Sequence, residues 1–407
     1  MTQMKRPCSP TPLPSKLVST TACLTTDALK EHDRNTRPVS LITRLDMASE
    51  QSTSGIPGEI PILSPSTRSS QWSRSSSPSR LSDAQYRYRL LRRANIFVDD
   101  EIPMDIQHET ENKVFNVLLD TNNSNLYKVS EKLWHKSKEL VRKPSGKAEW
   151  TEALYTAIDE LKPDGLEVAR NRDWREDLKP PVYNPLSTIP RKRDRSHRIV
   201  PGNTVELTIP IFKLKDPRPD ICVGLSDENL ANALVPKKGR SAARRFLVDL
   251  QETSSLISDP HVTPLGLRFP FLVVEAKAAA TGGNLYQAQN QAAVGGSAAL
   301  QILKNLSDLQ DLDEEGQEIT EDGPVVTQDL PNTKLRLAFS VTTEGPIHEL
   351  WIHFQKPREE DFYMVCLGTW RTTLEDGSLN FLRQLSAVLR WGNGEFKDDI
   401  ISVLQDI

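Results

Sequence analysis

Hydrophobic periodicity begins at about residue 82. SDAQYRYRLLRRANIFVDD offers a Ser or Asp N-cap, a short amphipathic helix, and then the strand-like Ile96-Phe97-Val98. Helical spacing returns around HETENKVFNVLLD and NLYKVSEKLWHKSKELV. In SGKAEWTEALYTAIDELKPDG, the residues Trp150, Ala153, Leu154, Ala157, Ile158 and Leu161 share one helical face, and Pro163-Asp164-Gly165 stops the run. From about 197 the pattern turns to strands: VELTIPIFKL, RPDICVGL and FPFLVVEAKAAA. A long helix, NLYQAQNQAAVGGSAALQILKNL, separates these from a hairpin, LRLAFSVTT with HELWIHFQ, and a further strand, FYMVCLGTW. Helices close the chain from Asn380 to Ile407, and the polar stretch 307–324 reads as a solvated loop. Alternation of this kind predicts an α/β fold with a mixed sheet flanked by helices.

Residues 1–82 have no such period. They are rich in Ser, Thr and Pro, and SPSTRSSQWSRSSSPSRLSD offers too little apolar area to offset its ordering entropy, which predicts a disordered tail. The folded domain is expected over 83–407, with a helical part at 83–180 and a core at about 197–407. Net charge is −4, so no global basic field draws nucleic acid, and phosphate contacts must come from local patches. One such patch is Arg191-Lys192-Arg193-Asp194-Arg195 with Arg198, which also has the form of a nuclear localisation signal. The other is Lys237, Lys238 and Arg240 with Arg244 and Arg245. Four scattered cysteines without a CxxC pair exclude a zinc ribbon and argue against a disulfide framework. With no apolar run of about 18 residues, the chain reads as soluble and intracellular, with a nuclear location suggested by the first patch and no membrane partner.

The chemistry is concentrated in FPFLVVEAKAAA. Leu272, Val273 and Val274 in succession describe a strand covered on both faces. Glu275 and Lys277, two apart, leave that strand on one face, and Ala276 on the other. A buried acid and base there must pair, meet other polar groups or bind a metal. Asp220 opens RPDICVGL, so if the two strands are neighbours its carboxylate and that of Glu275 converge on one cation. Mg²⁺, or Mn²⁺ in its place, suits an oxygen donor set completed by water and substrate phosphate. Lys277 would orient an attacking water, help deprotonate it, or stabilise developing charge. Other ExK strings, Glu111-Asn112-Lys113 and Glu395-Phe396-Lys397, lack the buried-strand context, and Pro163-Asp164 is a helix stop. For Glu275 and Lys277 the plain alternative is a same-face ion pair without chemistry.

RPDICVGL followed by LRFPFLVVEAKA, with a Gln- and Ala-rich helix behind, resembles the PD-(D/E)XK nuclease superfamily, and in particular the nuclease-like domains of filamentous fungi. The resemblance spans 83–407 and is most specific between about 217 and 303. It implies a restriction-endonuclease-like core, metal ligation by Asp220, Glu275 and the Ala276 carbonyl, and Lys277 as the catalytic lysine. It implies a further acid on the helix before the sheet, Glu149, with Glu152 as substitute. Gln287 and Gln291, four apart, resemble the Gln motif that some members carry near the site. The implied activity is Mg²⁺- or Mn²⁺-dependent hydrolysis of phosphodiesters in DNA, ahead of RNA. The alternative is a catalytically silent binding or regulatory protein on the same scaffold. The 55 or so residues between Asp220 and Glu275 exceed a tight hairpin and are expected to hold helices.

Overall fold

A strand whose sheet is covered on both faces carries apolar side chains at every position, and Leu267–Lys277 is buried at all but its last residue. In the computed structural model, which describes residues 81–115, 124–183, 213–315, 336–356 and 359–407, it lies inside a seven-stranded mixed sheet. The strands are β1 (Ile96–Val98), β2 (Leu166–Arg170), β3 (Ile221–Ser226), β4 (Leu267–Lys277), β5 (Leu337–Glu344), β6 (Ile347–Gln355) and β7 (Phe362–Arg371). Their order is β1-β7-β6-β5-β4-β3-β2. Pairs β4–β5 and β1–β7 are parallel and all other neighbours are antiparallel.

A parallel pair needs a crossover rather than a hairpin. Between β4 and β5 that crossover contains a long helix, Leu285–Glu315. In chain order the helices are α1 (Asp83–Gln85, continued by a π-helical turn Tyr86–Leu91), α2 (Met104–Thr110, continued likewise by Glu111–Phe115), α3 (Ser124–Val141) and α4 (Lys147–Leu161). After them come α5 (Asp227–Lys238), α6 (Arg240–Glu252), α7 (Leu285–Glu315), α8 (Glu375–Asn393) and α9 (Glu395–Asp406). No described helix is long and apolar enough to cross a membrane.

The register assigns the helices to faces. Val273, Ser340 and Trp351 are successive cross-strand partners, and their face receives α7, because Gly295 lies against Val273 and Gly296 against His353. The opposite face holds Leu272, Phe339 and Ile352. There Trp391 of α8 meets Phe339 edge-on at 5.3 Å, and Phe381 of α8 stacks on His348 at 4.7 Å. Leu140 of α3 and Trp150 of α4 join this second face around Ala278.

The predicted α/β architecture therefore stands, with its hairpin, its closing helices, the Ser82 N-cap and the strand at Ile96-Phe97-Val98. The interval between Asp220 and Glu275 holds α5 and α6 as expected. One strand was not foreseen and two readings change. LEVAR, which comes directly after a helix stop, is β2, an edge strand antiparallel to β3 and exposed enough to look like a loop. Strands β1 and β2 also bring the supposedly helical 83–180 part into the same sheet at its two edges. Finally, α7 runs through Ser307 to Glu315, where a loop was expected. Leu306 and Leu309 continue its buried face, and Leu, Glu and Gln favour helix over coil. The tail at 1–80, the strand reading at 205–212, the basic patch at 191–198 and the loop at 316–324 lie outside the described residues. Lys213 and Leu214, which end VELTIPIFKL, are not in a strand.

The two histidines of the hairpin are structural. Burial pushes the pKa of both His348 and His353 down to about 3, so both rings are neutral. His353 Nε2 is hydrogen-bonded to Ser340 Oγ at 2.8 Å, while neither nitrogen of His348 has a partner among the described residues. Gly296 is required by the His353 ring: a Cβ there would stand 2.3 Å from Nδ1. Gly296→Ala should destabilise the fold by about 1–3 kcal/mol through overpacking. Gly282→Ala, on an open left-handed turn, meets no clash and reports only the cost of a side chain at positive φ, about 1 kcal/mol. Urea unfolding reads both, and a Gly296→Ala midpoint at or above that of the wild type would contradict this packing.

Candidate active site

Asp220 stands one residue before β3. Because Ile221 pairs with Val274, Asp220 falls opposite Glu275 on the neighbouring strand. Its backbone N–H donates to the Val274 carbonyl at 3.0 Å, and its carboxylate Oδ2 accepts the Ala276 N–H at 2.7 Å. Strand pairing and side chain thus lock each other, and Asp220 is only 2% exposed. Glu275 is equally withdrawn, at 4%. The register thus sets the two acids opposite each other at one end of the β3–β4 pair, the neighbouring-strand arrangement on which the sequence expectation depended.

Lys277 shares the Glu275 face, with Nζ 3.8 Å from Glu275 Oε2. The same ammonium donates to the Ala276 carbonyl at 3.2 Å and to Oε1 of Gln291 on α7. After Lys277 the chain makes a 3-10 turn at Ala279–Thr281 and a left-handed step at Gly282. It then folds back so closely that a Cβ on Gly283 would be 3.0 Å from the Lys277 Cβ. Gly283 thus packs against the lysine stem.

Burial comes first in setting the protonation states. Loss of solvent, then the Asp220 charge, raises the Glu275 carboxyl to about 8, against the pull of Lys277 and Lys147. Burial also lowers the Lys277 pKa, against the field of Glu275 and aided by the positive charges of Lys147 and Lys215. Both shifts favour the uncharged forms, as expected of an acid and a base taken out of water.

Asp220, Glu275 and the Ala276 carbonyl form an oxygen-only donor set, the chemistry that suits Mg²⁺ or Mn²⁺. Among the described residues no cluster of three or more His, Cys, Asp or Glu side chains could hold a metal. The Ala276 carbonyl, the third donor that the resemblance implies, adjoins both acids in the chain or the sheet and accepts from Lys277 Nζ. The residue that reaches Asp220 from α4 is Lys147, whose Nζ is 2.6 Å from Oδ1. Glu149, two residues on, is exposed and lines a groove between α3 and α4 of about 450 Å³ with Val129 and Lys132. No ion pair or hydrogen bond joins it to Asp220 or Glu275. Glu152 is paired with Arg170 at 2.6 Å.

Of the two glutamines, Gln291 reaches Lys277. Gln287 lies one turn earlier, half-buried, with its backbone N–H capped by Asn284 Oδ1 at 2.8 Å. The second basic patch spans the end of α5 and the start of α6 and is engaged there: Lys237 with Asp406 at 3.1 Å, and Arg244 with Glu228 at 3.6 Å. Lys238 sits over the Phe246 ring, Arg245 donates to the Ser241 carbonyl, and Arg240 is exposed. None of the five is bonded to the carboxylate site.

Two features escaped sequence reasoning. Lys147 could have been suspected, because a cation in the first turn of a helix opposes the macrodipole and needs an external anion. The second is a polar band across the α7 face of the sheet, visible only with the register in hand. Glu275 is beside Thr342, which is beside Glu349. Thr342 Oγ1 donates to Glu349 Oε2 at 2.7 Å, and Gln289 Nε2 donates to the same oxygen at 2.8 Å. Gln289 and Asn290 in turn accept from Arg87, at 2.8 and 2.9 Å.

The fold and site define an α/β protein with two buried carboxylates and a lysine at one end of a mixed sheet. A family model described as a domain of unknown function (DUF7924) matches residues 126–404, and the chain belongs to that family. The match includes Lys147, Asp220, Glu275 and Lys277. No curated protein and no solved structure matches the chain.

A carboxyl with a folded pKa above its unfolded one holds an extra proton in the folded state between the two values. For Glu275 that interval runs from 4.5 to about 8, so its stabilising contribution declines as pH rises through it and is level above. Glu275→Gln does not titrate. Its stability relative to wild type should climb between about pH 5 and pH 8 in urea unfolding. A constant difference would show that Glu275 ionises at the ordinary carboxylate value.

Proposed function

We propose that the protein is a divalent-metal-dependent nuclease of the PD-(D/E)XK type that hydrolyses phosphodiester bonds in DNA, ahead of RNA. The observation that carries this reading is the convergence of Asp220 and Glu275 from adjacent strands, with Lys277 on the same face and held in place by Gln291. The order α4, three antiparallel strands β2–β4, crossover helix α7 and parallel strand β5 supports a restriction-endonuclease-like core.

In this reading Asp220, Glu275 and the Ala276 carbonyl hold Mg²⁺ or Mn²⁺. The bound ion supplies Lewis acidity at the phosphate and a more acidic water. The protein's own groups do the rest. Asp220 is fixed through Oδ2 by the Ala276 N–H, so its other oxygen, Oδ1, points in one direction. Lys277, its stem clamped by Gly283 and its ammonium steered by Gln291, orients the water that attacks phosphorus. In its neutral amine form, which the depressed pKa favours, Lys277 would instead take up the proton that this water releases. The basic segment around Arg191–Arg198 would direct the protein to the nucleus.

A second reading, a silent nuclease-like binding protein, is favoured by one observation. The described residues give the site two carboxylates and no third, and a lysine already neutralises one of them. Cleavage separates the two. The full chain is assayed on supercoiled, linear and single-stranded DNA and on RNA, with Mg²⁺, Mn²⁺ or EDTA. Asp220→Asn should abolish metal-dependent cutting, and Lys277→Met should reduce it by about 10²-fold or more. Folded protein that cuts none of these substrates would decide for the silent scaffold.

A further inference from the structure

Each of the three donor groups of the proposed metal site has a lysine Nζ beside one of its oxygens. Lys277 serves two of them, 3.2 Å from the Ala276 carbonyl and 3.8 Å from Glu275 Oε2. Lys147 serves the third, 2.6 Å from Asp220 Oδ1. The two lysines are not equivalent. The Lys277 side chain is 14% exposed, clamped along its stem by Gly283 and tied to Gln291. The Lys147 side chain is 40% exposed and has Asp220 as its partner among the described residues.

Occupancy sets their different roles. Asp220 Oδ2 is taken by the Ala276 N–H and Lys147 sits on Oδ1, the oxygen left for a metal, so a divalent cation bound to Asp220 competes with that ammonium for one atom. The ammonium there must withdraw. Lys147 is free to do so, since it is half in solvent and starts its helix, where a cation gains nothing from the backbone dipole. Lys147 and the exposed Lys215 are both felt as positive charges at Lys277. An ammonium group released there has one natural partner in a nuclease, a phosphate oxygen of the substrate.

We propose that Lys147 is the resident counter-ion of Asp220, displaced when a divalent cation binds, and that its freed ammonium then positions a substrate phosphate. The proposal rests on the nuclease reading for the identity of the cation and the anion. It makes Lys147 a positioning residue whose two partners, Asp220 and phosphate, alternate with metal occupancy.

Metal binding tests it without turnover. Mn²⁺ affinity is measured by electron paramagnetic resonance on the full-length wild type, Lys147→Met, Lys147→Arg and Asp220→Asn, with folding checked by circular dichroism. Lys147→Met should bind Mn²⁺ about tenfold more tightly, because the competing cation is gone. Lys147→Arg, which keeps a cation on Asp220, should stay at or below the wild-type affinity. In Ca²⁺, duplex DNA should bind Lys147→Met more weakly, with the salt slope reduced by about one counterion. Unchanged or weaker Mn²⁺ binding by Lys147→Met overturns the displacement, and an unchanged salt slope overturns the phosphate role. The metal site itself is judged separately: it survives if Asp220→Asn loses Mn²⁺, and falls, taking this proposal with it, if the wild type binds none.

Discussion

Two carboxylates taken out of water on adjacent strands repel each other and strand their own hydration, so the surroundings must supply compensating charge and hydrogen bonds. Much of the architecture answers that requirement. The β3–β4 pairing brings Asp220 and Glu275 together, and the Ala276 N–H fixes one of them by a bond that belongs half to the sheet and half to the side chain. The crossover helix α7 brings Gln291 to Lys277, and the first turn of α4 brings Lys147 to Asp220. Elements on both faces of the sheet are thus drawn to one end of it by electrostatics as well as by apolar burial.

How closely α7 can lie on the sheet depends on small residues. Ala292, Ala293, Gly295, Gly296, Ala298 and Ala299 form its buried stretch, and at Gly296 the neighbouring side chain is an imidazole ring kept neutral by burial. The close approach has a consequence for the site. The same rigid helix that carries Gly296 carries Gln291 little more than one turn earlier, so the distance from Gln291 to Lys277 is set by backbone packing rather than by a loop. A bulkier helix would hold the glutamine farther from the lysine.

Most of the site was legible in the sequence because its signals are local. Leu272, Val273 and Val274 announce a doubly covered strand, and a strand's period of two places Glu275 and Lys277 on one face without further knowledge. Asp220 required only that two apolar runs be neighbours. What was not legible depends on long-range geometry. Lys147 and Glu149 are close in sequence, and the direction in which α4 approaches β3 determines which of them meets Asp220. The band from Glu275 through Thr342 to Glu349 and Arg87 joins residues nearly two hundred positions apart or more and exists only once the strand register is fixed. Strand β2 was lost because an edge strand of five residues with an exposed face has almost no apolar signature.

The outermost pair of the sheet has a bearing on where the molecule can be divided. Strand β1 lies before the stretch matched by the family, yet it zips in parallel against Phe362–Met364 of β7. Leu90, Leu91 and Ile96 of the same leading segment are buried in the main core. A fragment started at the family boundary would retain every group of the carboxylate site while presenting the backbone of β7 unpaired beside newly uncovered apolar surface. An open edge of that kind invites another chain to add to it. The stretch that holds the carboxylate site and the stretch that closes the sheet edge therefore have different beginnings, the second at or before Ser82.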